Sequence, residues 1–348
     1  SCDDVEKGVK GDYLPPSSGA TGEVLLVMDT SKWNTPLGEE LRTIFYEPMP
    51  GLLAREPRFD MKKIQATSMN EVLRRHKNII YLISLEGKSK ASKRLKAMLS
   101  EETIGQIKEN PEVFMRVRDD VHAKGQKVLY LFADTDEQLT KHLEQANIQV
   151  RDVFEQAERK RMLKEMYGKS TQKAVEKSIK VKHGATIAVP FDYDIVKNIV
   201  SDSVVGNGFA HIRRIDNTLG IDRNFFFAYK PYTSEEQLNP LNIIEWRDSI
   251  CQYNIFDIEK PELFVTTEMQ APADPKFKRE TFQDRYALEV RGLWRYSTQI
   301  AGGVFVSYVV VDERSGRLYY MEGFVYAPGR DKRELIRELE TGLWAFEF

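Results

Sequence analysis

The chain has 348 residues, a mass of 40.2 kDa and a near-balance of 51 basic against 53 acidic side chains, for a net charge of −2. With 41% hydrophobic residues it has enough apolar material for two packed cores. The balanced charge argues against a non-specific nucleic-acid binder, no apolar run approaches the roughly 18 residues of a membrane-spanning helix, and two cysteines cannot build a disulfide framework.

Residues 1–21 read as a tether, because turn formers dominate and nothing is periodic. Ser1-Cys2 resembles the end of a lipobox, where a signal peptide is cut before a cysteine that is then acylated. Asp3-Asp4 resembles an acidic signal for export to the cell surface. Residues 22–151 alternate strand and helix patterns, as an α/β layer domain does. Glu23–Met28, Phe59–Ala66, Asn78–Leu85 and Lys127–Phe132 read as strands. Residues 33–46 carry Trp33, Leu37, Leu41, Ile44 and Phe45 at helical spacing, and prolines make 47–58 a loop. A short helix is predicted near 69–76. Residues 90–124 read as charged and helical, with Pro111 starting a new helix, and Asp134 or Thr135 caps the helix that follows.

Residues 152–183 lack strand signals, and 158–183 holds nine Lys or Arg against three Glu. This predicts a long, solvated, charged helix joining two domains; a helix for phosphate or lipid headgroups is the alternative. Residues 184–348 read as an α+β domain. Asp192 is placed to cap a helix carrying Ile195, Val196 and Ile199. Paired strands are expected at Phe209–Ile215 and Asn224–Tyr229, an amphipathic helix at 239–253 and a strand at Leu263–Met269. Three long alternating strands follow at 285–296, 303–312 and 316–327, then a last helix with Asp331 and Glu334 at capping-box spacing. The predicted class is α+β: two domains of mixed or antiparallel sheet covered by helices.

Candidate chemistry is sparse. None of His76, His122, His142, His183 and His211 stands at metal-ligand spacing, so neither a metal nor a cofactor is expected. Asp134/Asp136 and Asp192/Asp194 read as caps rather than ligands, and Cys251 falls on the buried stripe of its helix. His211, Arg213 and Arg214 beside Phe225, Phe226, Phe227 and Tyr229 would need exposed aromatics to stack bases, and consecutive phenylalanines cannot share one face. Alternation places Glu289, Arg291, Leu293 and Arg295 on one strand face, with Glu322 as a candidate cross-strand partner. Glu289, Arg291 and Glu322 are therefore expected as structural ion pairs, with an acid/base or anion site as the alternative.

Glu289-Val-Arg-Gly-Leu-Trp294, Gly302-Gly303-x-Phe305-Val-Ser-Tyr308, Glu322–Pro328 and Lys332-Arg-Glu334 resemble an uncharacterised family of Bacteroidota lipoproteins, a domain of unknown function. Gly22–Asp29, Trp33 and Arg247-Asp248-Ser249 match it too. Ile300-Ala301-Gly302-Gly303-Val304 departs from it where Met-Gly-Gly-Pro would stand, which loosens a turn. The resemblance implies an outer-membrane lipoprotein and supplies no catalytic residues.

The expected function is that of a non-enzymatic lipoprotein anchored in the outer membrane through Cys2, at the cell surface rather than the periplasmic face. It would be an accessory subunit in nutrient uptake or outer-membrane protein biogenesis. Its partners would be a β-barrel protein or other lipoproteins, with no nucleic acid. The alternative is a glycan-binding protein or hydrolase with a charged cleft around Glu289, Arg291 and Glu322.

Overall fold

A computed structural model describes residues 14–203 and 206–348. Cys2 and most of the tether lie outside the described residues. The class is α+β, in two compact units. One takes the chain up to Pro48 and from Pro57 to Arg161; the other takes Met49–Glu56 and Met162–Phe348.

The first unit is built on β1 (Glu23–Met28), α1 (Pro36–Phe45), β2 (Asp60–Gln65), α2 (Glu71–Arg74), β3 (Asn78–Ser84), α3 (Lys90–Lys96), α4 (Glu101–Glu109), β4 (Met115–Asp119), β5 (Lys127–Ala133) and α5 (Asp136–Gln145). The sheet order is β2-β1-β3-β5-β4, parallel except for the β4 edge. β1, β3 and β5 are apolar runs because helices cover both faces. Leu37, Leu41, Leu139 and Leu143 of α1 and α5 cover one face, and Leu95 and Ile107 of α3 and α4 cover the other.

α6 (Asn147–Tyr167) and α7 (Lys173–His183) occupy the segment expected as one connecting helix. The chain leaves helical geometry between them, at 168–172. The first turns of α6 are also not solvated. Val150 and Phe154 are buried in the first unit's core, and Glu158, 1% exposed, accepts a 2.7 Å hydrogen bond from Asn78 Nδ2. The charged composition hid this inward face.

The second unit continues with β6 (Thr186–Ile187), β7 (Asp194–Ser203), β8 (Gly206–Asp216), β9 (Ile221–Pro231), α8 (Pro240–Asn254), β10 (Val265–Thr267), β11 (Lys276–Phe282), β12 (Arg285–Tyr296), β13 (Gly302–Asp312), β14 (Arg317–Tyr326), α9 (Arg333–Leu343) and β15 (Phe346–Glu347). Its large sheet runs β10-β12-β13-β14-β9-β8-β7, with β11 also on β12, and every pairing is antiparallel. One face packs on α8 through Ile243, Ile244 and Ile250. The other packs on α7 and α9 through Ile179, Leu335, Ile336 and Leu339.

Two local expectations change, and one hairpin has no sequence expectation. Residues 194–203 form the edge strand β7 rather than a helix: Ile195, Val196, Ile199 and Val200 are β-branched and suit a pleated strand. Asp192 pairs with Arg214 at 2.9 Å instead of capping. Residues 115–119 are a strand, which the charges of Met115-Arg-Val-Arg-Asp119 concealed. β11 joins β12 through Gln283 and Asp284, both with positive φ (47° and 62°), a two-residue turn without the glycine that usually signals one.

The Met49–Glu56 stretch is integral to the second unit. Met49 is buried in its core and Leu52 packs against it. Gly51, at φ +84°, passes so close to Arg291 that a Cβ would lie 2.9 Å from the arginine Cβ. Glu56 supplies the cap expected of Asp331 and Glu334: its carboxylate accepts the Lys332 and Arg333 amides at 2.7–2.9 Å, at the N-terminus of α9. Anions are favoured there by unpaired N–H groups and the helix dipole. Glu56→Ala should therefore destabilise the second unit by about 0.5–2 kcal/mol in denaturant unfolding; an unchanged midpoint would remove the cap from the account.

Candidate functional site

Two buried ion-pair groups lie on opposite faces of the second unit's large sheet, at β12 and β14. On the α8 side, Arg247 is 0% exposed although it carries a full charge. Its Nε and Nη2 donate to the two oxygens of Glu322 at 2.8 and 2.7 Å, a bidentate pair with both side chains fully buried. Nη1 donates to Thr267 Oγ1 at 3.0 Å and Asp248 Oδ1 at 3.2 Å. The Tyr320 hydroxyl donates to Glu322 at 2.6 Å, and the Phe305 ring lies 4.2 Å from the guanidinium carbon. Burial pushes the Glu322 carboxyl up, against the attraction of Arg247. Burial also opposes the charge on Arg247, but Glu322 outweighs it and holds the guanidinium well above its ordinary value. The two hydrogen bonds between them keep the pair ionic.

Glu289 and Arg291 lie on the opposite face. Arg291 Nε and Nη2 bind the Glu289 oxygens at 2.7 and 3.0 Å, and Nη2 also meets Glu340 of α9. The Tyr308 hydroxyl donates to Glu289 at 3.2 Å. Burial works against ionisation of Glu289, but Arg291, then the charge of Lys278 and the Tyr308 hydroxyl, outweigh it and hold its carboxyl below the ordinary value. Glu322 therefore pairs with Arg247, not with this group. Register explains the correction: Glu322 stands opposite Ser307, which stands opposite Val290, whereas Glu289 and Arg291 alternate to the other face. The three residues do not line one cleft.

A cleft lies further along the Arg291 face. It measures about 310 Å³, between Leu52, Leu53 and Ala54 on one wall and Leu293 and Val304 on the other. Glu268, Arg295 and Lys332 stand at its rim, with Arg295 3.6 Å from Glu268.

The remaining candidates are absorbed by the fold. Phe225, Phe226 and Phe227 are all buried, so they offer no stacking surface. Thr135 caps α5, and Asp136 pairs with Lys32 at 2.6 Å. Cys251 is buried, which pushes its thiol up and leaves it unreactive. Among the described residues no group of three or more His, Cys, Asp or Glu could hold a metal. No helix there is long and apolar enough to cross a membrane. Asp29, at the end of β1, accepts from Ser31 Oγ at 2.7 Å and from Ser89 Oγ at 2.5 Å, tying β1 to the start of α3.

Arg247 is singled out in the sequence only within the matching stretch Arg247-Asp248-Ser249, with no role assigned to it. A sequence signal existed: it stands on the stripe of Ile243, Ile244, Ile250 and Cys251, where an unpaired cation would be untenable.

The architecture is thus a two-unit α+β protein whose second sheet carries internal ion pairs on both faces. Residues 171–345 match the model of a domain of unknown function, DUF4837, and residues 17–167 match a second domain of unknown function, DUF8532. The first match spans half of the chain, and the chain belongs to that uncharacterised family. Residues 49–56, which complete the second unit, fall inside the DUF8532 match. No curated protein matches the chain.

His211 gives this sheet a pH signature. It is buried on β8 with Nε2 2.9 Å from Asn224 Oδ1, and burial, against that hydrogen bond, pulls its pKa down to about 4. An unfolded histidine titrates near about 6.5. Stability is then complete above about 6.5 and falls as pH drops toward about 4, where the unfolded chain binds the extra proton, by up to about 3 kcal/mol. His211→Gln should flatten this part of a stability-versus-pH curve measured by denaturant unfolding. An identical curve in the variant would assign the acid sensitivity elsewhere.

Proposed function

We propose that the protein is a lipid-anchored outer-membrane lipoprotein, acylated at Cys2, that acts by contact as an accessory subunit of an outer-membrane assembly. Nutrient uptake and outer-membrane protein biogenesis are the two candidate settings. The observation that carries the non-enzymatic part is the engagement of the charged groups. Glu322 is held by Arg247 and Tyr320, and Glu289 by Arg291 and Tyr308. A general acid or base needs a position facing substrate, and both oxygens of each of these carboxylates already accept protein donors.

The anchor rests on Ser1-Cys2-Asp3-Asp4 and the turn-rich stretch after it. An anchored chain gains effective concentration at neighbouring membrane proteins, so modest contacts suffice for assembly. Mass spectrometry of the N-terminus of protein made in its native cells should show acyl chains on Cys2, and Cys2→Ala should move the protein out of the membrane fraction. Gentle detergent extraction should co-purify an integral β-barrel. An unmodified Cys2, or a protein that elutes alone and crosslinks to no barrel in intact cells, would refute the corresponding half of the reading.

A further inference from the structure

We infer that the second unit carries a docking surface for an anionic lipid bilayer, formed by α7 and the neighbouring β7 edge. α7 turns Val175, Ile179 and His183 inward. Its one acid, Glu176, also points inward, accepting the Val189 amide at 2.9 Å. The outward face carries Lys173, Lys177, Lys180 and Lys182; of these Lys173, its side chain 81% exposed, reaches back to Glu176 at 2.8 Å. At helical spacing Lys173, Lys177 and Lys180 form one stripe, and Val181, 78% exposed, stands beside it. Glu347 pairs with Lys180 at 3.1 Å, but both side chains are more than half exposed, and such pairs hold weakly.

The apolar part adjoins this stripe. Lys182 Nζ donates to Asn198 O at 2.7 Å, which fixes β7 beside the helix. Ile195, Asn198 and Val200 pair with Ile212, Ala210 and Gly208, so they share one face of the sheet, and Ile195 and Val200 are exposed on it. Before α7, Lys169 Nζ lies 5.6 Å from the ring of Phe191, itself 52% exposed. Exposed lysines interleaved with an exposed aromatic and β-branched residues fit a bilayer interface: headgroup phosphates take the cations and the acyl boundary takes the apolar groups. A nucleic acid would offer the apolar groups nothing. This surface needs no acyl chain, so its failure and that of the Cys2 anchor are separable.

The test uses the full chain with Cys2→Ser, which cannot be acylated, in co-sedimentation with phosphatidylcholine vesicles with and without phosphatidylglycerol. The protein should sediment with the phosphatidylglycerol vesicles only, and less as salt rises. The K173E/K177E/K180E variant, checked for an unchanged melting temperature, should bind at least about tenfold more weakly. Val181→Asp should weaken binding as well. The salt series on the Cys2→Ser chain tests the charge claim without those substitutions. Equal binding to both vesicles, no binding to either, or undiminished binding by the triple variant would overturn the proposal. Self-association in the ultracentrifuge without vesicle binding would assign the face to a second copy and overturn it equally.

Discussion

The second unit depends on one costly arrangement: a guanidinium and a carboxylate, Arg247 and Glu322, held together with no exposure to water. Moving either ion out of water alone costs at least several kcal/mol, on the order of what a domain has in total. The arrangement survives because every part of it is pinned. Two guanidinium nitrogens meet Glu322, the third meets Thr267 and Asp248, and Tyr320 completes the carboxylate. Those partners come from α8, β10 and β14, so the pair sets the register between helix and sheet as much as it neutralises charge. A hydrophobic pair would tolerate sliding; a bidentate pair does not.

The opposite face repeats the device with different parts. Arg291 binds Glu289 on its own strand and Glu340 on α9, while Gly51 passes against its Cβ. The N-terminus of α9 is capped by Glu56, so the helix is held at both ends by residues distant in sequence. Long-range polar pins of this kind make the second unit dependent on eight residues, Met49–Glu56, that reach it from the N-terminal half of the chain. Chain order and spatial unit therefore diverge at the one segment that its prolines mark only as a loop.

Much of the architecture was legible in the residues, and the failures have physical causes. The parallel strands read clearly because burial on both faces leaves unbroken apolar runs, as in Asn78–Ser84. The strands at 285–296, 303–312 and 316–327 read clearly through length and turn chemistry. Strand β7 did not, because Ile195, Val196 and Ile199 satisfy a helical spacing as well as a strand, and an edge supplies no second signal. The hairpin at Gln283-Asp284 lacked its glycine. At the site, alternation placed Glu289 and Arg291 together correctly, since face assignment is local. The partner of Glu322 was not legible, because it lies on a helix 75 residues away and only packing decides which helix covers which face.

The central claim is that these charges are structural members of the sheet. A double-mutant cycle on the full chain tests it most directly, with Arg247→Met, Glu322→Gln and the pair. Unfolding can be followed by tryptophan fluorescence, to which the second unit contributes Trp246, Trp294 and Trp344 and the first unit Trp33. Each single variant should lose about 3–5 kcal/mol, because a buried charge is left alone, and the double variant should lose at least about 2 kcal/mol less than the sum. Costs that add to within about 0.5 kcal/mol, or a Glu322→Gln variant as stable as the parent, would contradict the account.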